Sequence, residues 1–395
     1  MKKTLLASTA FALTATGALA GGHATEAKIG ILLGFTGPIE SITPMMADAS
    51  ELAISEINDS GMFLDGVTLV PVRADSTCID AAASTAAAER LVTSEGVVAI
   101  MGADCSGVTG ATLSNVAVPN GVVMVSPSAT SPALSTAEDN GLFFRTAPSD
   151  ARQGAVLAEI LAEKGITEIA VTYTNNDYGK GLADAFASSF DGTITLSSPH
   201  DDGKADYSAE IGALASAGGE ALAVFGYTDQ GGKGIIQASY DTGAFDTYVM
   251  ADGMYGDNLF TELSDALEGS FGSVPWAQGE GAEAFDTITS AAGIDGSGSF
   301  TRESYDAAAL IALAMMKGGE ATSEAIAANL MDVANAPGEE ILPGELGKAL
   351  EILASGGDID YVGASGVELI GPGEAAGSYK HYMVTDGSPE TVEFK

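Results

Sequence analysis

The sequence predicts an α/β protein built from two doubly wound parallel-sheet lobes joined by a hinge. Three observations carry that expectation. Short, continuous apolar runs alternate with amphipathic stretches from Lys28 onward, the same alternation restarts after Arg145, and 395 residues suffice for two domains of ordinary size. Strands buried on both faces of a parallel sheet read as unbroken apolar runs, whereas the helices that cover them show apolar residues every three or four positions.

The first block opens with a strand over 29–33, then a Gly/Pro loop and a helix in which Met46, Ala49, Ala53 and Ile57 recur at helical spacing. A strand over 67–72 follows, and Asp80 caps an Ala-rich helix reaching about Thr93. Runs at 97–101 and 122–125 complete the block as short buried strands. The second block begins with a helix over 151–164, stopped by Gly165, the residue type that adopts a left-handed C-terminal cap most readily. Strands at 169–173, 194–197, 221–225 and 248–250 then alternate with helices at 179–190, 205–217 and 231–240. From about Gly279 helices dominate, including 305–316 and 323–333, and the tail from Asp360 breaks into short strands and Gly/Pro turns. The expected division is a signal peptide at 1–20, a first lobe from 27–146 and 278–360, and a second lobe from 147–277 and 361–395.

The N-terminus sets the compartment. Lys2 and Lys3 precede an apolar stretch from Leu5 to Leu19, and Ala18-Leu-Ala20 fits the small-x-small pattern of signal-peptide cleavage. That stretch is short and rich in Ala, Thr and Gly, unlike a membrane span of roughly 20 apolar residues. No Cys follows the cleavage site to carry a lipid, so the expectation is secretion into the periplasm without membrane insertion. The formal charge is −38, and loss of Lys2 and Lys3 takes it to −40. Such a surface repels phosphate backbones and excludes nucleic acid as a natural partner. Cys78 and Cys105 are the only cysteines, and in an oxidising compartment a lone pair reads as a disulfide; there is no CxxC spacing or nearby His to favour a metal or redox pair.

Open α/β sheets take ligands outside the carboxyl ends of their strands. That rule selects the loops 35–42, 102–106 and 126–131 in the first block, and 174–178, 226–228 and 251–255 in the second. The first set offers Ser106, Ser128, Thr130 and backbone N–H groups, which suit a carboxylate. The second offers Asp252, a partner for an ammonium, with the rings of Tyr178 and Tyr227. An anion site facing a cation site between apolar walls describes a zwitterionic amino acid. Each residue also has a plainer reading: Ser106 as a helix cap, Ser126-Pro127-Ser128 and Asp252-Gly253 as turns, Tyr178 as loop packing. Catalysis finds little support. The only histidines are His23, His200 and His381; no HExxH, GxSxG or SxxK pattern occurs, and Gly231-Gly-Lys233 is followed by Gly234 rather than the Ser or Thr of a phosphate loop. No enzymatic activity, metal or cofactor is expected.

At these loops the chain resembles the leucine/isoleucine/valine-binding proteins, the type I periplasmic binding proteins of amino-acid ABC transporters. The likeness runs through nearly all of the chain beyond the signal peptide, in order: Ile29-Gly-Ile-Leu-Leu-Gly-Phe-Thr-Gly-Pro38, Ala74-Asp-Ser-Thr-Cys78, Gly102-Ala-Asp-Cys-Ser106, Ser126-Pro-Ser-Ala-Thr-Ser-Pro132, Phe144-Arg-Thr-Ala-Pro-Ser-Asp150 and Asn176-Asp-Tyr-Gly-Lys-Gly181. The resemblance implies a disulfide between Cys78 and Cys105. It also implies ligand contacts from Ser106, Ser128, Ala129 and Thr130 on the α-carboxylate and, through a carbonyl, the ammonium, and from Tyr178, Tyr227 and Asp252 in the second lobe. Two positions depart from the pattern. Ile42 stands where aliphatic amino-acid binders place an aromatic residue, and Asp252 replaces a longer Glu. The implied function is a monomeric receptor that closes about a hinge on an amino acid, branched aliphatic by default. It would deliver the ligand to permease subunits driven by a separate ATPase. The alternatives are a receptor of the same fold for an amide or small carboxylate, or a sensor feeding a chemoreceptor or kinase.

Overall fold

A computed structural model describes residues 25–395; the expected signal peptide and His23 lie outside the described residues. In the first lobe five parallel strands follow in chain order: β1 (Glu26–Leu33), β2 (Thr68–Asp75), β3 (Ala99–Gly102), β4 (Val123–Ser126) and β5 (Phe143–Pro148). The second lobe repeats the plan with β6 (Glu168–Thr174), β7 (Thr193–His200), β8 (Ala221–Phe225), β9 (Tyr248–Met250) and β10 (Phe271–Pro275). The remaining strands are a separate parallel pair, β11 (Glu339–Ile341) and β12 (Ile359–Tyr361), followed by β13 (Leu369–Ile370), β14 (Glu374–Ala375), β15 (Tyr379–Thr385) and β16 (Ser388–Phe394).

The two large sheets run β13-β14-β5-β4-β3-β1-β2 and β16-β15-β10-β9-β8-β6-β7. In each, strand order reverses beside the first strand of the block, between β1 and β3 and between β6 and β8. Such a switch point leaves a crevice at the strand ends, because the crossovers on its two sides depart to opposite faces. β1 lies between β2 and β3 with Ile29 opposite both Pro71 and Ala99, and Ile29, Ile31, Leu32 and Leu33 are all buried. Burial on both faces explains the unbroken apolar run.

The helices follow from the same patterning. Met46, Ala49, Ala53 and Ile57 are the buried face of the helix Thr43–Asp59, Asp80 Oδ1 accepts the N–H groups of Ala82 and Ala83 at 2.9 and 3.0 Å, and Gly165 closes the helix Asp150–Lys164 at φ 72°. The helix Thr301–Gly318 is buried along its whole run from Thr301 to Met315, which accounts for the unbroken apolar stretch from Ala307 to Met316. Among the described helices none is long and apolar enough to cross a membrane.

The chain passes between the sheets after β5, after β10 and before β15. Trp276 N–H donates to Ser378 O at 2.9 Å and Ser378 Oγ to Trp276 O at 2.6 Å, which ties two of these crossings side by side. The last crossing differs from expectation. The sequence places residues from 361 in the second lobe, yet β14 pairs with β5 and β13 with β14, so the chain stays with the first sheet through Ala375. The Arg145–Glu374 ion pair, 2.5 Å long, helps hold that edge.

Candidate functional site

The first wall of the site is set by the turn after β3. Gly102 has φ +129°, and a Cβ there would lie 2.2 Å from Leu32 O, so only glycine lets β3 turn this close to β1. The Cys78–Cys105 disulfide, with Cα atoms 5.1 Å apart, ties the turn to the segment after β2. Asp104, fully buried, accepts from Gly34 N–H, from Ser76 Oγ at 2.7 Å and from Cys105 N–H at 2.9 Å; burial raises its pKa and these donors oppose the rise. Ser106 follows at the start of the helix Ser106–Thr112, and its Oγ accepts Ser131 N–H at 3.0 Å, leaving its hydroxyl hydrogen free to donate. Ser128 Oγ donates to Asp104 O at 3.2 Å, and Thr130 Oγ1 is buried with no hydrogen-bond partner.

The opposite wall comes from the second lobe. Tyr178, in the first turn of the helix Asp177–Ser189, stacks on Tyr227 with ring centroids 5.3 Å apart. Its hydroxyl donates to Asp252 Oδ1 at 2.6 Å and accepts Gly253 N–H at 3.1 Å. A Cβ on Gly253 would sit 2.9 Å from that hydroxyl and 2.5 Å from Gly226 O, so the contact demands glycine. Asn176 Nδ2 donates to Tyr227 Oη at 3.1 Å. Asp252 is 2% exposed, and burial pushes its carboxyl up to about 6 against the opposing Tyr178 and Gly253 hydrogen bonds.

Between the walls lies a narrow cavity of about 30 Å³, lined by Ile39, Ile42, Met46, Asp104, Cys105, Ser106, Ser128, Tyr178, Tyr227, Asp252, Gly253 and Phe300. Six residues singled out from the sequence therefore meet there: Ile42, Ser106, Ser128, Tyr178, Tyr227 and Asp252. Ala129 and Thr130 are not part of the lining. They sit one layer behind it, where Ala129 O accepts from Arg145 Nη1 at 2.9 Å and Thr130 O accepts Asp150 N–H at 2.8 Å.

Sequence reasoning missed Ile39, Met46 and Phe300, which enlarge the apolar side of the cavity. It also missed Asp150, the first residue of its helix, which is fully buried with neither carboxylate oxygen hydrogen-bonded. Burial, and then the charge of Asp252, raise the Asp150 pKa well above its ordinary value. The nearby Thr130 hydroxyl and then Arg145 oppose that rise, but the Arg145 Nη groups are committed to Glu374, Ser135 and two backbone carbonyls. Among the described residues, two buried acids thus lie beside a wall of hydroxyls without a dedicated counter-cation. The arrangement suits a ligand that brings a cation to Asp252 and an acceptor to Ser106.

A family model described as periplasmic binding protein matches residues 26–345. The chain belongs to the periplasmic binding protein family. The chemotactic signal transduction system substrate-binding protein BasB of Halobacterium salinarum is similar at 29% identity over 390 residues, 92% of this chain and 88% of that protein. A leucine-, isoleucine-, valine-, threonine- and alanine-binding protein of Pseudomonas aeruginosa is 29% identical over 306 residues, covering 76% of this chain and 80% of its own. Among solved structures, the branched-chain amino acid transporter substrate-binding protein LivJ of Streptococcus pneumoniae, in complex with isoleucine, superposes with a TM-score of 0.77 at 22% identity, over 94% of this chain and 99% of that one. The expected two-lobed α/β fold and the solute-binding role of this periplasmic binding protein are both borne out.

Proposed function

We propose that this periplasmic binding protein is the amino-acid receptor of an ABC transporter, exported by its leader to the periplasm and acting there as a monomer without turnover. The ligand α-carboxylate faces Ser106 and Ser128, with the Thr130 segment behind them. Its ammonium lies on Asp252, supported by Asp150 and Thr130 Oγ1, and its side chain rests on Ile39, Ile42, Met46 and Phe300. The observation that carries this reading is the buried Asp252, held by Tyr178 across a single cavity from Ser106. A buried carboxylate without a cation is costly, and a ligand ammonium supplies the compensation. The Pseudomonas relative named for branched and small amino acids supports the same ligand class. Closure about the hinge then presents both lobes to permease subunits energised by a separate ATPase.

Calorimetric titration of ligand-stripped protein tests this. Leucine, isoleucine or valine should bind, whereas 4-methylpentanoate, which lacks the ammonium, and 3-methylbutylamine, which lacks the carboxylate, should not. Binding of the carboxylate alone would replace an amino-acid receptor with a carboxylate receptor of the same fold. The likeness to BasB favours a second reading in which the same closed form is read by a chemoreceptor. Loss of uptake of the bound amino acid on deleting this gene supports transport; loss of taxis with uptake intact supports sensing.

A further inference from the structure

The loop after β1 brings Ile39 and Ile42 to the cavity, and first-lobe contacts hold its two ends. Thr36 Oγ1 donates to Asp75 at 2.6 Å, Thr43 Oγ1 donates to Gly34 O at 2.9 Å, and Gly37, at φ +107°, passes so close to Thr77 O that a Cβ would meet it at 2.5 Å. The middle of the loop is gripped from the other lobe. Asp229, in the turn between β8 and the helix Gly231–Thr242, donates its backbone N–H to Pro38 O at 3.0 Å and accepts Ser41 N–H on Oδ2 at 2.9 Å. These two bonds bracket Ile39 and stop one residue short of Ile42. Both use protein atoms only, join residues of different sheets, and are broken by any rotation that parts the lobes at this rim.

We propose that Asp229 is a positioning residue for ligand capture: it clamps the Pro38–Ser41 loop to the second lobe, fixes Ile39 and Ile42 as the wall for the ligand side chain, and slows reopening. The wall's role rests on the amino-acid reading above; the clamp does not. A carboxylate suits the task because its acceptor oxygen takes the Ser41 N–H as a charge-assisted bond, while the backbone N–H of the same residue secures Pro38. Interactions made only in the closed form slow reopening and are read chiefly in the dissociation rate.

Two readouts on Asp229→Ala and Asp229→Asn test the clamp. In stopped-flow release of leucine, Asp229→Ala should dissociate about tenfold faster, a factor expected from losing one charge-assisted bond. Asp229→Asn, which keeps an acceptor oxygen, should recover most of the loss, and the ligand-free Tm should stay at the wild-type value in both. The second readout needs no ligand: single-molecule energy transfer between dyes on cysteines introduced at Glu89 and Asp241, exposed positions on the two lobes, should show a closed fraction at least threefold lower in Asp229→Ala. If both the release rate and the closed fraction stay within twofold of wild type, the clamp is wrong. A weaker affinity matched by an equal drop in ligand-free stability, with the closed fraction unchanged, makes Asp229 structural and also overturns it. A wild type that binds no amino acid sinks the proposed ligand instead, and the closed fraction alone then decides the clamp.

Discussion

The Tyr178 hydroxyl donates to Asp252 Oδ1 at 2.6 Å while accepting the N–H of Gly253 at 3.1 Å, so one phenol fixes both the carboxylate and the turn that carries it. Donation stabilises the ionised acid in a site where burial favours the neutral one. An ammonium binds the ionised form, so this hydrogen bond belongs to ligand affinity as well as to architecture.

Tyr178→Phe should therefore weaken binding of leucine, isoleucine or valine by about 10- to 100-fold, the range for losing a hydrogen bond to a charged group. It leaves the stack on Tyr227 in place. Calorimetry across pH checks the cause: the pH below which affinity fades should move upward in the variant. Weaker binding with no movement in that pH would place the phenol's effect in shape rather than in the charge of Asp252.

Asp252→Ala should abolish measurable amino-acid binding while the fold survives. Removing a buried acid that lacks a cation relieves its desolvation, so the ligand-free Tm is expected to stay level or rise. Thermal shift with and without ligand separates the two effects, since a ligand at 100 times its Kd stabilises the wild type by about 2.7 kcal/mol. A variant that retains the full ligand shift would remove Asp252 from the binding set.

Much of this site was legible because parallel strands and their loops leave strong local signatures. The strands Ala221–Phe225 and Tyr248–Met250 are bounded as their apolar runs suggested, and the loops that follow them carry Tyr227 and Asp252 to the cavity. The misses have local causes. Phe271–Pro275 reads Phe-Gly-Ser-Val-Pro, too broken by Gly and Pro to resemble a strand, although all five residues are buried. Strands of two residues, such as Leu369–Ile370 and Glu374–Ala375, are too short for any periodicity, which is why the final crossing was placed too early. Asp150 looks like an ordinary first-turn acid of a helix capped by Ser149; only the tertiary packing shows that its carboxylate is buried beside Asp252. Thr130 lies behind the cavity lining, a depth that hydroxyl chemistry in a loop does not reveal.

Stability should vary with pH in a direction set by these acids. A carboxyl raised to about 6 in the folded chain binds its proton more tightly there than in the unfolded chain, where it titrates near 3.9. The folded state holds more protons between those values, so this group's stabilising contribution is full below about 4 and is lost as pH rises through 6. Asp150 acts in the same direction. Two pH units correspond to about 3 kcal/mol for Asp252. Subtracting the Tm of ligand-free Asp252→Asn from that of wild type at each pH isolates the term, and the difference should turn more negative from pH 4 to 6.5. With saturating leucine that trend should flatten, because the ammonium stabilises the ionised acid. A difference independent of pH in the ligand-free protein would show that Asp252 is not held near neutrality.

Phe300 supplies the last prediction. It caps the helix Thr301–Gly318 in the left-handed region at φ 59°, 6% exposed, and lines the apolar side of the cavity opposite the polar groups. A bulky residue in that backbone region is retained at a conformational cost, and such positions cluster where a ligand is gripped. Phe300→Ala should enlarge the pocket, lower affinity for leucine and isoleucine, and admit phenylalanine, narrowing the ratio between the two classes at least tenfold. Phe300→Gly relieves the backbone as well, so it should be the more stable of the two variants despite opening the same space. Competition titrations give the ratio and urea midpoints give the stability. An unchanged leucine-to-phenylalanine ratio in both variants would mean that the side-chain wall is made by Ile39, Ile42 and Met46 alone, with Phe300 serving the helix start.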